Sequence, residues 1–172
     1  MPAPHNDVPH LDEIKEDNMR LAYDTLAPDG FKALGSVYAY VQRSGLEKPL
    51  VDLAYLRASQ MNGCAYCIDA HAHDAAAEGA SREKLMLVSV WREAGRCFTD
   101  RERAALAWSE VVTAVSETHV PEEAFAAARE VFTEKELTDL TLAVGLINVY
   151  NRLAISFRRT PASVAKLEQS DA

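Results

Sequence analysis

Asn62-Gly63-Cys64-Ala65-Tyr66-Cys67-Ile68-Asp69-Ala70-His71 is the stretch whose reading decides the rest. Asn62-Gly63 breaks one helix, and the next begins near Cys64 and runs to about Glu78, with Gly79 as its C-cap. A helix advances about 100° per residue. Cys67 then lies roughly 60° from Cys64, and His71 returns almost to the direction of Cys64. The three share one helical face, while His73 points to the opposite one. Both cysteines fall in the first helical turn, where the backbone favours negative charge. A thiolate, not a thiol, is the reactive species. His71 follows Cys67 by four residues, so it can take the thiol proton or stabilise the thiolate. Two cysteines two residues apart can close a disulfide within one turn. The pattern points to thiol redox chemistry, with metal binding as the competitor. A structural zinc site wants four Cys or His ligands. One face offers three here, and a fourth would have to come from Asp52 or His119, so neither a metal nor a cofactor is expected.

Outward from this stretch the pattern is helical throughout. Residues 1–9, with Pro2, Pro4 and Pro9, form an extended arm. Residues 10–26 carry a moderate helical pattern, and Pro28-Asp29-Gly30 reads as a turn. Phe31, Leu34, Val37, Tyr38 and Val41 repeat at helical spacing up to Gly45. Pro49 fits the first turn of a helix ending near Met61. Ser81 opens a helix to about Ala94. Thr99-Asp100-Arg101-Glu102 and Thr133-Glu134-Lys135-Glu136 are capping boxes announcing helices over 100–118 and 134–157. A short helix starts at Pro121, and Pro161 ends the last one. No segment alternates like a strand. The expected fold is all-α: a single-domain helical bundle over residues 10–160, followed by a polar, frayed tail over 161–172. Leu50-Val51-Asp52-Leu53 and Leu137-Thr138-Asp139-Leu140 look faintly alike. In such a duplication, Asn151 and Ala154 stand where the first copy has its cysteines.

The bulk numbers exclude several classes. A chain of 172 residues can bury a core without staples. A net charge of -8 argues against nucleic acid, which needs a basic patch. No apolar run approaches the roughly 20 residues of a membrane span. The N-terminus lacks the layout of a signal peptide. A cytoplasmic location is therefore expected, with the thiols kept reduced.

Residues 56–71, with their Ser-Gln-Met-Asn-Gly-Cys-Ala-Tyr-Cys core, resemble the carboxymuconolactone decarboxylase superfamily in its alkyl hydroperoxidase D-like, peroxidase-related branch. The similarity continues through Ser89–Ala94, Asp100–Trp108 and Ile147–Leu153. It implies an alkyl hydroperoxidase D-like bundle that assembles as a homo-oligomer, from dimer to hexamer. It also implies a proton relay through His71 and a carboxylate twelve residues before the first cysteine. By the resemblance, Cys67 is the peroxidatic residue and Cys64 the resolving one. The relay carboxylate falls on Asp52, where the family has Glu. Tyr66 stands where some members carry an auxiliary His.

The expected function is thiol-dependent reduction of a hydroperoxide, with a dithiol or protein thiol as reductant. Two alternatives stand beside it: a lactone decarboxylase, whose chemistry does not need the two cysteines, and a non-catalytic, redox-sensing oligomer.

Overall fold

The computed structural model describes residues 19–170, which are helical and contain no strand. The expected arm over 1–9 and most of the pattern over 10–26 lie outside the described residues. Ten helices follow in order: α1 (Tyr23–Leu26), α2 (Pro28–Gln42), α3 (Lys48–Asn62), α4 (Ala65–Ala77), α5 (Arg82–Leu87), α6 (Asp100–Thr113), α7 (Val115–Thr118), α8 (Glu122–Val131), α9 (Glu134–Ser156) and α10 (Ala162–Ser170).

The core is built around α3. It buries Leu50 to Leu56 without a gap, and then Ala58 and Ser59. A helix apolar on nearly every side must be covered on every side. Here α4, α6 and α9 pack against it. The main core joins Val51, Tyr55, Trp108, Phe132, Leu140 and Ile147, and it includes both Cys64 and Cys67. A second core places Leu53, Leu56, Val88, Trp91, Phe98 and Leu106 behind α3. Both capping boxes form: Thr99 with Glu102, and Thr133 with Glu136.

Four expectations are corrected. Pro28-Asp29-Gly30 is not a separate turn but the first turn of α2, with Pro at its start. Proline lacks only an N–H that no helix uses there. The helix expected over 81–94 stops at Leu87 and continues as 3₁₀ turns. Arg103 holds the irregular segment that follows, donating to the carbonyls of Trp91 at 3.3 Å, Gly95 at 3.2 Å and Arg92 at 3.3 Å. The 100–118 helix divides at Ala114. The tail after Pro161 forms α10, with its start held by Asp69 of α4, which accepts from the Ser163 N–H at 3.1 Å and from its hydroxyl. Among the described residues no helix is long and apolar enough to cross a membrane.

Candidate functional site

The turn between α3 and α4 sets the cysteines. Gly63 takes the left-handed conformation (φ 68), which glycine adopts at no steric cost. The Cys64 N–H then reaches back to the Ser59 carbonyl at 3.0 Å, the closing bond of a Schellman turn. Cys64 is thereby the N-cap of α4 in an extended conformation, and its sulfur accepts from the Cys67 N–H at 3.4 Å. The expectation that Cys64 shares a helical phase with His71 fails for this reason: a cap residue is not in the helix. The cap conformation instead brings the two sulfurs to 2.7 Å. Both thiols are free and buried.

In this buried thiol pair, contact draws the pKa of one thiol down and pushes the other up. Cys64 is pulled down to about 7, by the hydrogen bond from the Cys67 thiol and by the Cys67 N–H, against the cost of burial. Cys67 is pushed up, by donating that same bond and by burial. The side chain of Asn151 lowers both. Asn151 is itself fully buried, donating to Ser59 Oγ at 3.0 Å and accepting from Asn62 at 2.8 Å. Its place beside the sulfurs was legible only in the faint α3/α9 likeness.

His71 lies on α4 with its ring 4.9 Å from that of Tyr55. Its Nδ1 is buried without a hydrogen bond, and Asp74 Oδ2 lies 3.6 Å away. Burial holds its pKa below the ordinary histidine value, only partly offset by Asp74. The carboxylates therefore do not make it an imidazolium, as a nearby acid alone would have implied. Asp52 is 1 % exposed. Burial raises its carboxyl, and Lys48, one helical turn earlier at 3.2 Å, draws it back. Lys48 also binds Glu78 at 2.8 Å. The spacing gave no hint of these partners or of Asp74.

Asp52, His71 and Asp74 are the convergent trio of metal-type donors among the described residues, with ligand atoms within 4.8 Å of one another. These donor types suit a divalent cation, but the Lys48 ammonium already sits on Asp52 and would repel one. The sulfurs are not in the trio. His119, the other suggested fourth ligand, is exposed at the end of α7, far from a buried setting.

Cys67 and His71 do meet in one place. Both line a cavity of about 330 Å³ with Tyr38, Tyr66, Tyr150 and Arg159, and Cys64 does not border it.

The chain has relatives in sequence and fold among known proteins. The model of the Carboxymuconolactone decarboxylase family matches residues 28–110, which run from the start of α2 into α6 and include the whole thiol turn. The Bacillus subtilis protein YdfG, itself uncharacterised, is 34% identical over 146 residues, covering 85% of this chain and 99% of YdfG. A crystal structure of an Agrobacterium tumefaciens protein of unknown function, ATU0492, ascribed to AhpD-type antioxidant defence, is 41% identical. It covers 83% of this chain and 97% of its own, with a TM-score of 0.80. A peroxidase-related protein with an alkylhydroperoxidase AhpD core from Ralstonia eutropha JMP134 shares the fold at 24% identity and a TM-score of 0.73. That match covers 83% of this chain and 76% of the other. With an all-helical bundle and sequence relatives along most of its length, the chain belongs to the carboxymuconolactone decarboxylase superfamily, in its AhpD-like, peroxidase-related branch.

Proposed function

We propose that the chain is a thiol-dependent hydroperoxide reductase in which Cys67 meets the peroxide and Cys64 resolves it. One observation carries this reading: the sulfurs touch at 2.7 Å, and only Cys67 of the two borders the cavity it shares with His71. The resting pair is a Cys64 thiolate and a Cys67 thiol. Passing the shared proton to Cys64 leaves a Cys67 thiolate facing the cavity. That sulfur attacks the outer oxygen of ROOH, the O–O bond breaks, and Cys67 becomes a sulfenic acid. The departing RO⁻ takes a proton, delivered from Cys64 or through His71, and leaves as ROH. The Cys64 thiolate then attacks the Cys67 sulfur. The S–S bond forms and hydroxide leaves as water after protonation. A dithiol reductant donates two electrons to this disulfide by exchange, restores both thiols and leaves as its own disulfide. His71, neutral because it is buried, serves as a proton carrier, not as a fixed cation, with Asp52 and Asp74 behind it. Free thiols suit the reducing cytoplasm, where we place the protein.

The deciding experiment is a coupled peroxidase assay with several dithiol donors, beside a thiol titration before and after adding hydroperoxide. Loss of two thiols per chain with sustained turnover is expected. Rapid stoichiometric oxidation without turnover points to redox sensing, and no peroxide-dependent thiol loss overturns the reading.

The pH dependence follows from the lowered Cys64 pKa. The thiolate fraction rises with pH, so alkylation of the pair by iodoacetamide should accelerate with a midpoint about 7, against about 8.5 for an ordinary cysteine. A midpoint at or above the ordinary value would remove the thiolate from the resting state.

We also propose a homo-oligomer, on the apolar surface the chain leaves uncovered. Phe132, Leu137, Leu140, Val144, Leu146 and Ile147 are covered by the chain's own helices. Uncovered apolar surface remains on the outer side of α9, at Leu142, Val149 and Ile155, and before α2. Leu26 is 68 % exposed and Leu21 49 %, beside a groove of about 520 Å³ lined also by Leu34, Val149 and Leu153. Light scattering should return a multiple of 18.9 kDa, and a monomer at micromolar concentration would refute it.

A further inference from the structure

The cavity beside Cys67 is far larger than hydrogen peroxide needs. A water's share of liquid volume is about 30 Å³, and hydrogen peroxide is not much larger. The cavity offers about 330 Å³, within the range of small-ligand sites. Its walls are largely aromatic, with Tyr23, Phe31, Tyr38, Tyr66 and Tyr150 among them. Rings give an apolar, flat-faced lining suited to a ring or branched hydrocarbon body.

One strong cation stands in this wall. The Arg159 guanidinium lies 4.7 Å over the Tyr66 ring, next in sequence to Cys67. Arg159 is held firmly: Arg158 takes the left-handed conformation (φ 53), and the Arg159 N–H closes on the Ala154 carbonyl at 2.9 Å. Its side-chain bonds, to Tyr23 Oη at 3.1 Å and Asp24 Oδ2 at 3.3 Å, both use Nη1. Among the described residues Nη2 and Nε donate to nothing, which leaves an edge of the fork for an incoming oxyanion. The Asp24 carboxylate is a partly exposed, single-bond partner, and such pairs hold weakly. Arginine with two free donors matches a carboxylate in two parallel bonds.

We propose that this cavity takes a ligand with an aryl-sized apolar body and a carboxylate held by Arg159. Resting on the reductase reading above, its preferred substrate is an organic hydroperoxide that carries such a carboxylate. Arg159 is then a specificity residue that no spacing in the sequence revealed.

Two arms test this. The first measures kcat/KM for cumene hydroperoxide and its ring-carboxylated analogue in the wild type, Arg159→Gln and Asp24→Asn. A charge-assisted pair is worth roughly ten-fold or more in preference. The wild type should favour the carboxylated compound by about that factor, Arg159→Gln should lose the preference, and Asp24→Asn should widen it. A preference that Arg159→Gln leaves unchanged overturns the proposal. So does an equal loss on both substrates, which would make Arg159 a support for the thiol or the fold. The second arm needs no peroxide chemistry: 4-isopropylbenzoate should protect the thiols of the wild type from alkylation, and 4-isopropylbenzamide should not. Protection lost in Arg159→Gln supports the ligand class even where no hydroperoxide oxidises the thiols, a result that would sink the reductase reading alone. Equal protection by acid and amide, or none by either, overturns the proposal.

Discussion

Cys67→Ser is expected to abolish reaction with hydroperoxide, while Cys64→Ser should react once and stop. Steady-state turnover should fall by about 10³-fold or more in each, because the two residues act as a unit whose single losses do not add. The variants separate in what they accumulate. Cys64→Ser keeps the sulfur that borders the cavity and lacks the one that would resolve it. A sulfenic acid should persist on Cys67, visible by mass spectrometry after trapping. The fold tolerates this change, since serine is a favoured N-cap and Cys64 holds that position in α4. Cys67→Ser keeps only the sulfur that does not border the cavity. The experiment is sharp because charge and access point to different atoms. Cys64 is the thiol whose pKa is drawn down, yet Cys67 meets the cavity. A sulfenate adduct on Cys64 in Cys67→Ser, formed at the wild-type rate, would reverse the order of attack.

What the sequence disclosed is what local chemistry encodes. Thr99 and Thr133 announce α6 and α9 because a capping box is complete within four residues. Gly63 and the cysteines announce their turn for the same reason. The parts that stayed hidden depend on residues distant along the chain. The irregular segment after α5 is held by Arg103, which gathers its carbonyls from α6. The last helix exists where a frayed tail was expected because Asp69, far upstream, satisfies its start. At the candidate site, the sequence named Cys64, Cys67, His71 and Asp52. Asn151, Asp74, Lys48 and Arg159 were not named, since no motif surrounds them. The faint likeness of α3 and α9 was the one available signal. It is matched in structure by two lysine–aspartate pairs at the same spacing, Lys48–Asp52 at 3.2 Å and Lys135–Asp139 at 2.6 Å, each with its acid buried. Asn151 then stands against the thiols that occupy the corresponding place after α3.

Asp52→Asn is expected to slow hydroperoxide reduction by about ten-fold or more, the usual scale for a positioned acid–base group. From spacing alone Asp52 could be a solvated acid on an exposed face. Its burial removes that reading: it is 1 % exposed and within 4.8 Å, atom to atom, of His71 and Asp74. Enclosing a carboxylate is costly unless it is paired, and Lys48 supplies the pairing. Desolvation still raises its pKa, which brings it closer to a group that can hold and release a proton near neutrality. His71 is shifted the other way by the same burial. Two neighbours whose affinities for a proton converge exchange it readily, and asparagine, equal in shape, can do no such thing. Asp52→Glu should retain activity, because the carboxylate is kept and the family's own side chain restored. Asp74 provides the control. It is about half exposed and lies near the same Nδ1, so Asp74→Asn should cost less than Asp52→Asn if the proton passes through the buried acid. A larger loss in Asp74→Asn would move the relay to the exposed carboxylate. If Asp52→Asn left both the thiol midpoint and turnover unchanged, Asp52 would be no more than the buried anchor of Lys48.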